Sequence, residues 1–311
     1  MTNKVAHYNN PLKKRFLRGL SRWQLLVLLA PAVIYIFIFN YIPIYGVQIA
    51  FRNYKTNKGI WGSDWVGLKH FMKFFSLPTF WTMLQNTLTI TLYNLAMFPL
   101  PVIFALMLNE VDHMKFKKTV QMLSYAPHFI STVVLCSMVT LFLHEDKGVF
   151  NAIIAALGGT RQPFMEQASA FPHIMVISGV WQELGWGAII YFAALSGVSP
   201  ELIEAAKIDG ANRLQIVTHV NIPTILPTII IMLIMRCGRL LSLGFEKVYL
   251  LQNPLNMDAS QIISTYTYEI GLRGGQFSLS SAVGLFNNVV NVIALVIVNA
   301  ISKKVTETSL W

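Results

Sequence analysis

An all-α integral membrane protein with six transmembrane helices, and a short cytoplasmic helix between the fourth and fifth, is the fold class this sequence predicts. Three observations predict it. Of 311 residues, 54% are hydrophobic and only 12% are charged, about half the charged share of an ordinary soluble domain; the mean hydropathy is +0.53. Six apolar stretches approach the roughly 20 residues needed to cross a hydrocarbon core: 23–45, 85–109, 122–143, 171–195, 224–243 and 281–301. Basic residues crowd ahead of the first of them, at Lys4, Lys13, Lys14, Arg15, Arg18 and Arg22, as at the cytoplasmic flank of a membrane helix. The chain therefore divides into a basic segment 1–22, a spanning domain 23–301 and a tail 302–311.

A net charge of +10 would suit nucleic acid, but its placement argues for a membrane flank instead. The first apolar run exceeds the ~7–15 residues of a signal-peptide core and no small-residue cleavage site follows, so it reads as a retained span. Spans one, two, three and six read as uninterrupted. Span four contains Glu183, and span five ends in Arg236-Cys-Gly-Arg239, so both read as interrupted. Cys136 and Cys237 each lie in an apolar run and read as small packing residues.

Orientation follows from the short loops. Lys115, Lys117, Lys118, Lys207, Arg213, Lys303 and Lys304 fall on the side of the N-terminus, while the basic residues of 46–84 are spread along a long loop. Both termini are expected inside. The 46–84 loop is rich in aromatics (Phe51, Trp61, Trp65, Phe71, Phe74, Phe80 and Trp81 among them), which suits an interfacial belt or a docking surface for an external partner. The 145–170 loop holds a short apolar helix, Val149 to Leu157, ended by Gly158-Gly159. The 252–280 loop carries turn signals at Asn253-Pro254 and Gly271-Leu-Arg-Gly-Gly275. His128, His144 and His173 sit near span ends without ligand spacing, so no metal site is expected.

The segment between spans four and five, 197–223, carries most information. Ser199-Pro200-Glu201 is a helix start, Gly210 takes a left-handed stop, and Asn212 can cap a second short helix ending before Pro223. Leu202, Ile203, Ala206 and Ile208 are the apolar members of the first helix. Ala205 and Ala206 permit close approach, and Glu204 and Asp209 offer charge to a partner. A plain connecting loop has no need of such a helix, although a helix resting on lipid would look the same.

Glu204-Ala-Ala-Lys-Ile-Asp-Gly210, followed by Val220-Asn-Ile-Pro223 and Pro227, resembles the signature of binding-protein-dependent ABC importer permeases, at that family's spacing and at its place among six spans. Ile222-Pro223 stands where the motif has Leu-Pro. Trp181-Gln-Glu-Leu-Gly-Trp186, Gly244-Phe-Glu-Lys-Val248, Asn253-Pro254 and Ser309-Leu-Trp311 are similar to type I, maltose-permease-like carbohydrate importers, especially the oligosaccharide and polysaccharide branch of Gram-positive bacteria. The resemblance covers about 20–311. It implies a second homologous permease, two ATPase subunits that hold ATP and magnesium, a lipid-anchored extracellular sugar-binding protein and an oligosaccharide cargo. Glu204, Ala205, Ala206, Asp209, Gly210, Ile222 and Pro223 would then form the ATPase-coupling loop. No catalytic residue is expected, and the sequence has no Gly-x-x-x-x-Gly-Lys-Ser/Thr nucleotide loop.

Ionisable residues inside spans usually face a cavity or each other. Trp181, Glu183 and Trp186 are therefore candidates for the sugar path, or else a carboxylate satisfied by neighbouring helices. Asn287, Asn288 and Asn291 suit interhelical hydrogen bonds or a polar lumen. Arg236 and Arg239 are expected to pair with Glu183 or Glu246, in preference to direct contact with the sugar. Two other classes remain in view: an ion-coupled secondary sugar transporter, and a membrane enzyme acting on lipid-linked sugars. For the latter, Glu145-Asp146 is the one adjacent acidic pair, with no histidine at close spacing.

Overall fold

A computed structural model describes residues 23–311, and the basic segment 1–22 lies outside the described residues. The described residues form two compact units, one ending at Leu68 and one spanning Lys69–Trp311. In the first, α1 (Trp23–Ile36) continues through a π turn (Phe37–Tyr41) and a 3-10 segment (Ile42–Phe51), giving one apolar span, Trp23–Phe51. An antiparallel hairpin follows, β1 (Arg52–Lys55) with β2 (Gly59–Trp65), pairing Arg52 with Trp65. The Arg52 guanidinium lies 5.8 Å from the Trp61 ring and 5.5 Å from the Trp65 ring. Part of the aromatic loop is thus a hairpin, closed by cation–π contact.

The second unit is helical. Short α2 (Lys69–Phe75) precedes α3 (Phe80–Ala96) and α4 (Pro99–Asn109), which together make span two, Phe80–Asn109. Phe74 meets Phe80 edge-on at 5.0 Å and both are buried with Met83, Ile263, Leu279 and Val283. These loop aromatics are core, not belt. Trp81 is exposed.

Span three departs from expectation. It splits into α5 (Met114–Tyr125), a 3-10 turn (Ala126–Phe129) and α6 (Thr132–Phe142), with a bend of 100° between the halves. Pro127 is the cause within the sequence: it has no N–H to continue the α-helical ladder, and Ser131 restarts the helix by accepting from Val134 N. The outer-loop helix α7 (Val149–Ala156) is pinned by buried Asn151, whose amide bonds the Gln162 backbone in both directions at 2.8 Å.

Span four, by contrast, is continuous as α8 (Phe171–Leu195), because the polar atoms of Glu183 are met from outside the helix. Gly185 lets α8 lie against α5: a Cβ there would collide with the Ser124 carbonyl. Helix α9 (Pro200–Ile208) then leads to α10 (Arg213–Ile216). The second short helix does not end before Pro223. It runs through a π turn (Val217–Asn221) into α11 (Ile222–Cys237), with Pro223 in the first turn, where its missing N–H breaks little. Span five also stops at Cys237 instead of 243. The segment after it is held by Asn291, which accepts from Leu241 N at 2.9 Å and donates to Ser242 Oγ at 2.8 Å.

Helices α12 (Phe245–Leu251), α13 (Met257–Ser260) and α14 (Ile263–Tyr268) lead to α15 (Phe277–Thr306), the last span. Among the described residues, five helices are long and apolar enough to cross a membrane, six with the bent pair counted as one. Helix association here rests on packing and hydrogen bonds, since lipid is as apolar as leucine. One core joins Val102, Ala105 and Leu106 to Ala188, Tyr191, Leu195 and Ile225. Another joins Ile90 and Cys136 to Phe171, Met175, Val176, Val248 and Leu251.

Candidate functional site

The segment 197–223 builds a helix that is finished by its own residues. Pro200 opens α9, Glu201 lies in the first turn and Lys207 in the last, matching the helix dipole. Ser199 is the N-cap residue, but its side chain makes no capping bond. Gly210 has φ +83°, and Ala211 N donates to Ala206 O at 2.9 Å while Gly210 N donates to Lys207 O at 3.1 Å. That is the Schellman stop, which needs glycine for its backbone angle alone, since a Cβ there would meet nothing within 4 Å. Asn212 and Gln215 form a reciprocal capping box for the next helix, with bonds of 2.9 Å and 2.8 Å.

Two faces result. Ile203 packs on the core around Val198 and Ile225, and Ala206 is half-buried. Leu202 is 55% exposed and Ile208 86% exposed, with Glu204, Ala205, Asp209 and Gly210 exposed beside them. The four apolar residues therefore do not share one face. A second loop braces the segment: Arg213 Nη2 donates to Asp112 Oδ2 at 3.0 Å, and buried Asn221 donates to Glu110 Oε1 at 3.4 Å. Glu110 and Asp112 carry no sequence signal for this role, being ordinary loop acids. Pro223 is exposed and Ile222 packs inward.

Deeper in the spans, the structure gathers Glu183 and Trp186 around His128. His128 Nδ1 lies 3.0 Å from Glu183 Oε2, and its ring stacks on Trp186 at 4.1 Å and 3°. Phe129 meets Trp186 edge-on at 5.7 Å, and Gln182 Nε2 donates to Ile130 O at 2.9 Å. The break in span three is thus seated on span four. His128, which the sequence places near a span end, belongs to this cluster, and Ala126-Pro-His-Phe129 was the signal that could have marked it. Trp181 is half-exposed and makes no ring contact among the described residues.

The amides of span six have different roles. Asn291 is the structural pin described above. Asn287 Oδ1 is buried with no partner among the described residues, and Asn288 is exposed. The expected pairing of Arg236 and Arg239 with Glu183 or Glu246 is not formed: no ion pair among the described residues includes either arginine. The reason is geometric. Glu183 is engaged by His128, and Glu246 is exposed on α12, beyond the end of span five. Arg236 Nη2 instead donates to Asn94 O at 3.2 Å, at the wall of a cavity between spans two, four and five. Lys247, on α12, is buried and donates from Nζ to Met175 O at 3.0 Å; loss of solvent lowers its ammonium to about 8. Among the described residues no group of three or more His, Cys, Asp or Glu could hold a metal.

A many-span helical protein with a glycine-stopped, partly apolar helix exposed between two spans, and a charged cavity at depth, is a transport subunit. The chain belongs to the family described as binding-protein-dependent transport system inner membrane component, which matches residues 25–307. It is 42% identical to the Bacillus subtilis polygalacturonan/rhamnogalacturonan transport system permease protein YteP, over 96% of this chain and 94% of that one. It is 42% identical to Protein LplB of the same organism, over 94% and 92%. A chain of a bacterial ABC transporter for import of the acidic polysaccharide alginate superposes with TM-score 0.86 at 37% identity, covering 94% of this chain and 99% of that one. A second structure, the alginate transporter with an alginate pentasaccharide-bound periplasmic protein, gives 0.87 at 36%, covering 95% and 100%. Nothing among these relatives favours the ion-coupled alternative.

Proposed function

We propose that this chain is one of two homologous permease subunits of an ATP-driven importer, which takes up an oligosaccharide handed over by an extracellular, lipid-anchored binding protein. The observation that carries the reading is the exposed helix Pro200–Ile208, which presents Leu202, Glu204 and Ile208 at a membrane face. Exposed apolar side chains on this helix suit a protein partner. In this reading both termini and the 197–223 loop are cytoplasmic, and a separate ATPase subunit receives the helix in a groove. Mg-ATP in that subunit supplies the energy.

The next helix, α10, carries the Arg213–Asp112 pair and is continuous with span five through the π turn, so α9 is joined to span five across the short Gly210 turn. A push at Glu204 and Ile208 is carried into α11 and so to the cavity near its far end. Residues 1–22 would be a basic cytoplasmic lead, 23–301 the spanning domain and 302–311 a cytoplasmic tail. The test is a mild-detergent pull-down of the tagged chain, with partners identified by mass spectrometry and Gly210→Pro as control. An ABC ATPase and a second six-span permease are expected, with the ATPase lost from the control. A chain recovered alone, or only with itself, would sink the reading.

A further inference from the structure

We propose that the cavity between spans two, four and five receives the negative charges of the cargo, with Arg236 and Arg239 as its cationic lining, so that the oligosaccharide carried is one bearing carboxylates. This rests on the importer reading above and deepens it.

The cavity is open to one side and has a volume of about 430 Å³; its polar lining includes Thr91, Asn94, Tyr191 and Ser242, with Arg236 and Arg239 exposed at its wall. It forms where two helices give way. Span two breaks at Met97-Phe98 between α3 and α4, and span five ends at Cys237. Asn94 lies halfway along the 30-residue span Phe80–Asn109, so the cavity is at depth and not at a membrane face.

Two guanidiniums at such depth are costly and are normally matched by a carboxylate. Here neither is in an ion pair among the described residues. A guanidinium has five N–H donors. The one bond found for Arg236 is to the Asn94 carbonyl, and the Arg239 side chain has none among the described residues. Glu183 is the carboxylate whose field reaches Arg236, yet it is bound to His128. A cation in the last turn of a helix does complement the dipole. That accounts for Arg236 but not for Arg239, which follows the helix end, nor for the open space beside both.

Phe98 and Tyr191 border the cavity as largely buried aromatic side chains, and Gly187 and Gly244 leave room. A planar guanidinium fork meets a carboxylate through two parallel bonds, which an ammonium cannot do. An acidic sugar ring would satisfy donors that a neutral one would leave unpaired as water is displaced. Sulfate esters share the negative charge, so the test must separate them.

The experiment is uptake into proteoliposomes of the complete complex with its binding protein. Three probes are compared: short oligouronides, the same oligosaccharides with carboxyls reduced to alcohols, and sulfated neutral oligosaccharides. ATP-driven uptake of the oligouronide alone is expected. The R236Q/R239Q pair should lower it roughly tenfold or more, with the complex still assembled by gel filtration. The R236K/R239K pair should keep part of the uptake, and it carries the test if the glutamine variant fails to assemble. Equal uptake of the reduced sugar, preference for the sulfated one, or wild-type uptake by both arginine variants would each overturn the proposal while leaving the importer intact. Uptake of all three without dependence on ATP would overturn the importer reading as well.

Discussion

The helix Pro200–Ile208 and the cavity beside Arg236 are built in opposite ways. The helix start, stop and following cap come from residues within a few positions of one another: Pro200, Gly210, and Asn212 with Gln215. The cavity comes from residues as far apart as Thr91 and Gly244 on three spans. The His128–Glu183 contact joins positions 55 apart, through a helix break. A local device is set by backbone rules that each residue obeys alone. A device at depth depends on which helix faces which, and a charge there takes its meaning from its neighbour.

That contrast can be broken by substitution. The largest effect is expected at Gly210→Pro. Proline holds φ near about −65°, and the turn needs +83°. ATP-dependent uptake should fall to background with the chain still in the membrane; normal uptake would show that the helix stop is not used in coupling. Glu204→Lys keeps the fold, because the side chain is exposed, but reverses the charge offered to the proposed ATPase partner. Uptake should drop roughly tenfold through loss of a charge-assisted contact, and a pull-down retaining full ATPase would count against it.

At depth, Glu183→Ala frees His128 and the seat of span three while the complex still assembles. Uptake should fall roughly tenfold, about the worth of one hydrogen bond to a charged group. An unchanged uptake rate would remove Glu183 from the path. Lys247→Met keeps the aliphatic stem and removes a buried cation, so the melting temperature at pH 7 should rise by about 2 °C or more. The sign follows from its lowered pKa: the unfolded chain binds the proton more tightly, so the wild type gains stability as pH rises from about 8 toward 10.5. The Met variant should lose that slope, and a slope that persists would assign it elsewhere. Least is expected of Arg213→Ala. The ion pair with Asp112 is exposed, so uptake and stability should change by less than about 1 kcal/mol; a large loss would make the brace between the two loops essential.

Sequence determined by itself what local rules govern. Apolar length gave the spans, and Pro200, Glu201, Gly210 and Asn212 placed the exposed helix. Where it misled, the governing contact was distant. Glu183 reads as an interruption, yet α8 is unbroken because His128 meets the carboxylate from another span. Span three reads as continuous, yet Pro127 bends it by 100° and thereby brings His128 to Trp186. Leu202, Ile203, Ala206 and Ile208 read alike as the apolar members of one helix, yet of the three large ones only Ile203 packs in the core. Arg236 and Arg239 read as half of an ion pair, and only the tertiary structure decided that they line a cavity instead. The physical reason is that a backbone angle is fixed by the residue that adopts it, whereas the cost of a charge at depth is fixed by whatever packs beside it.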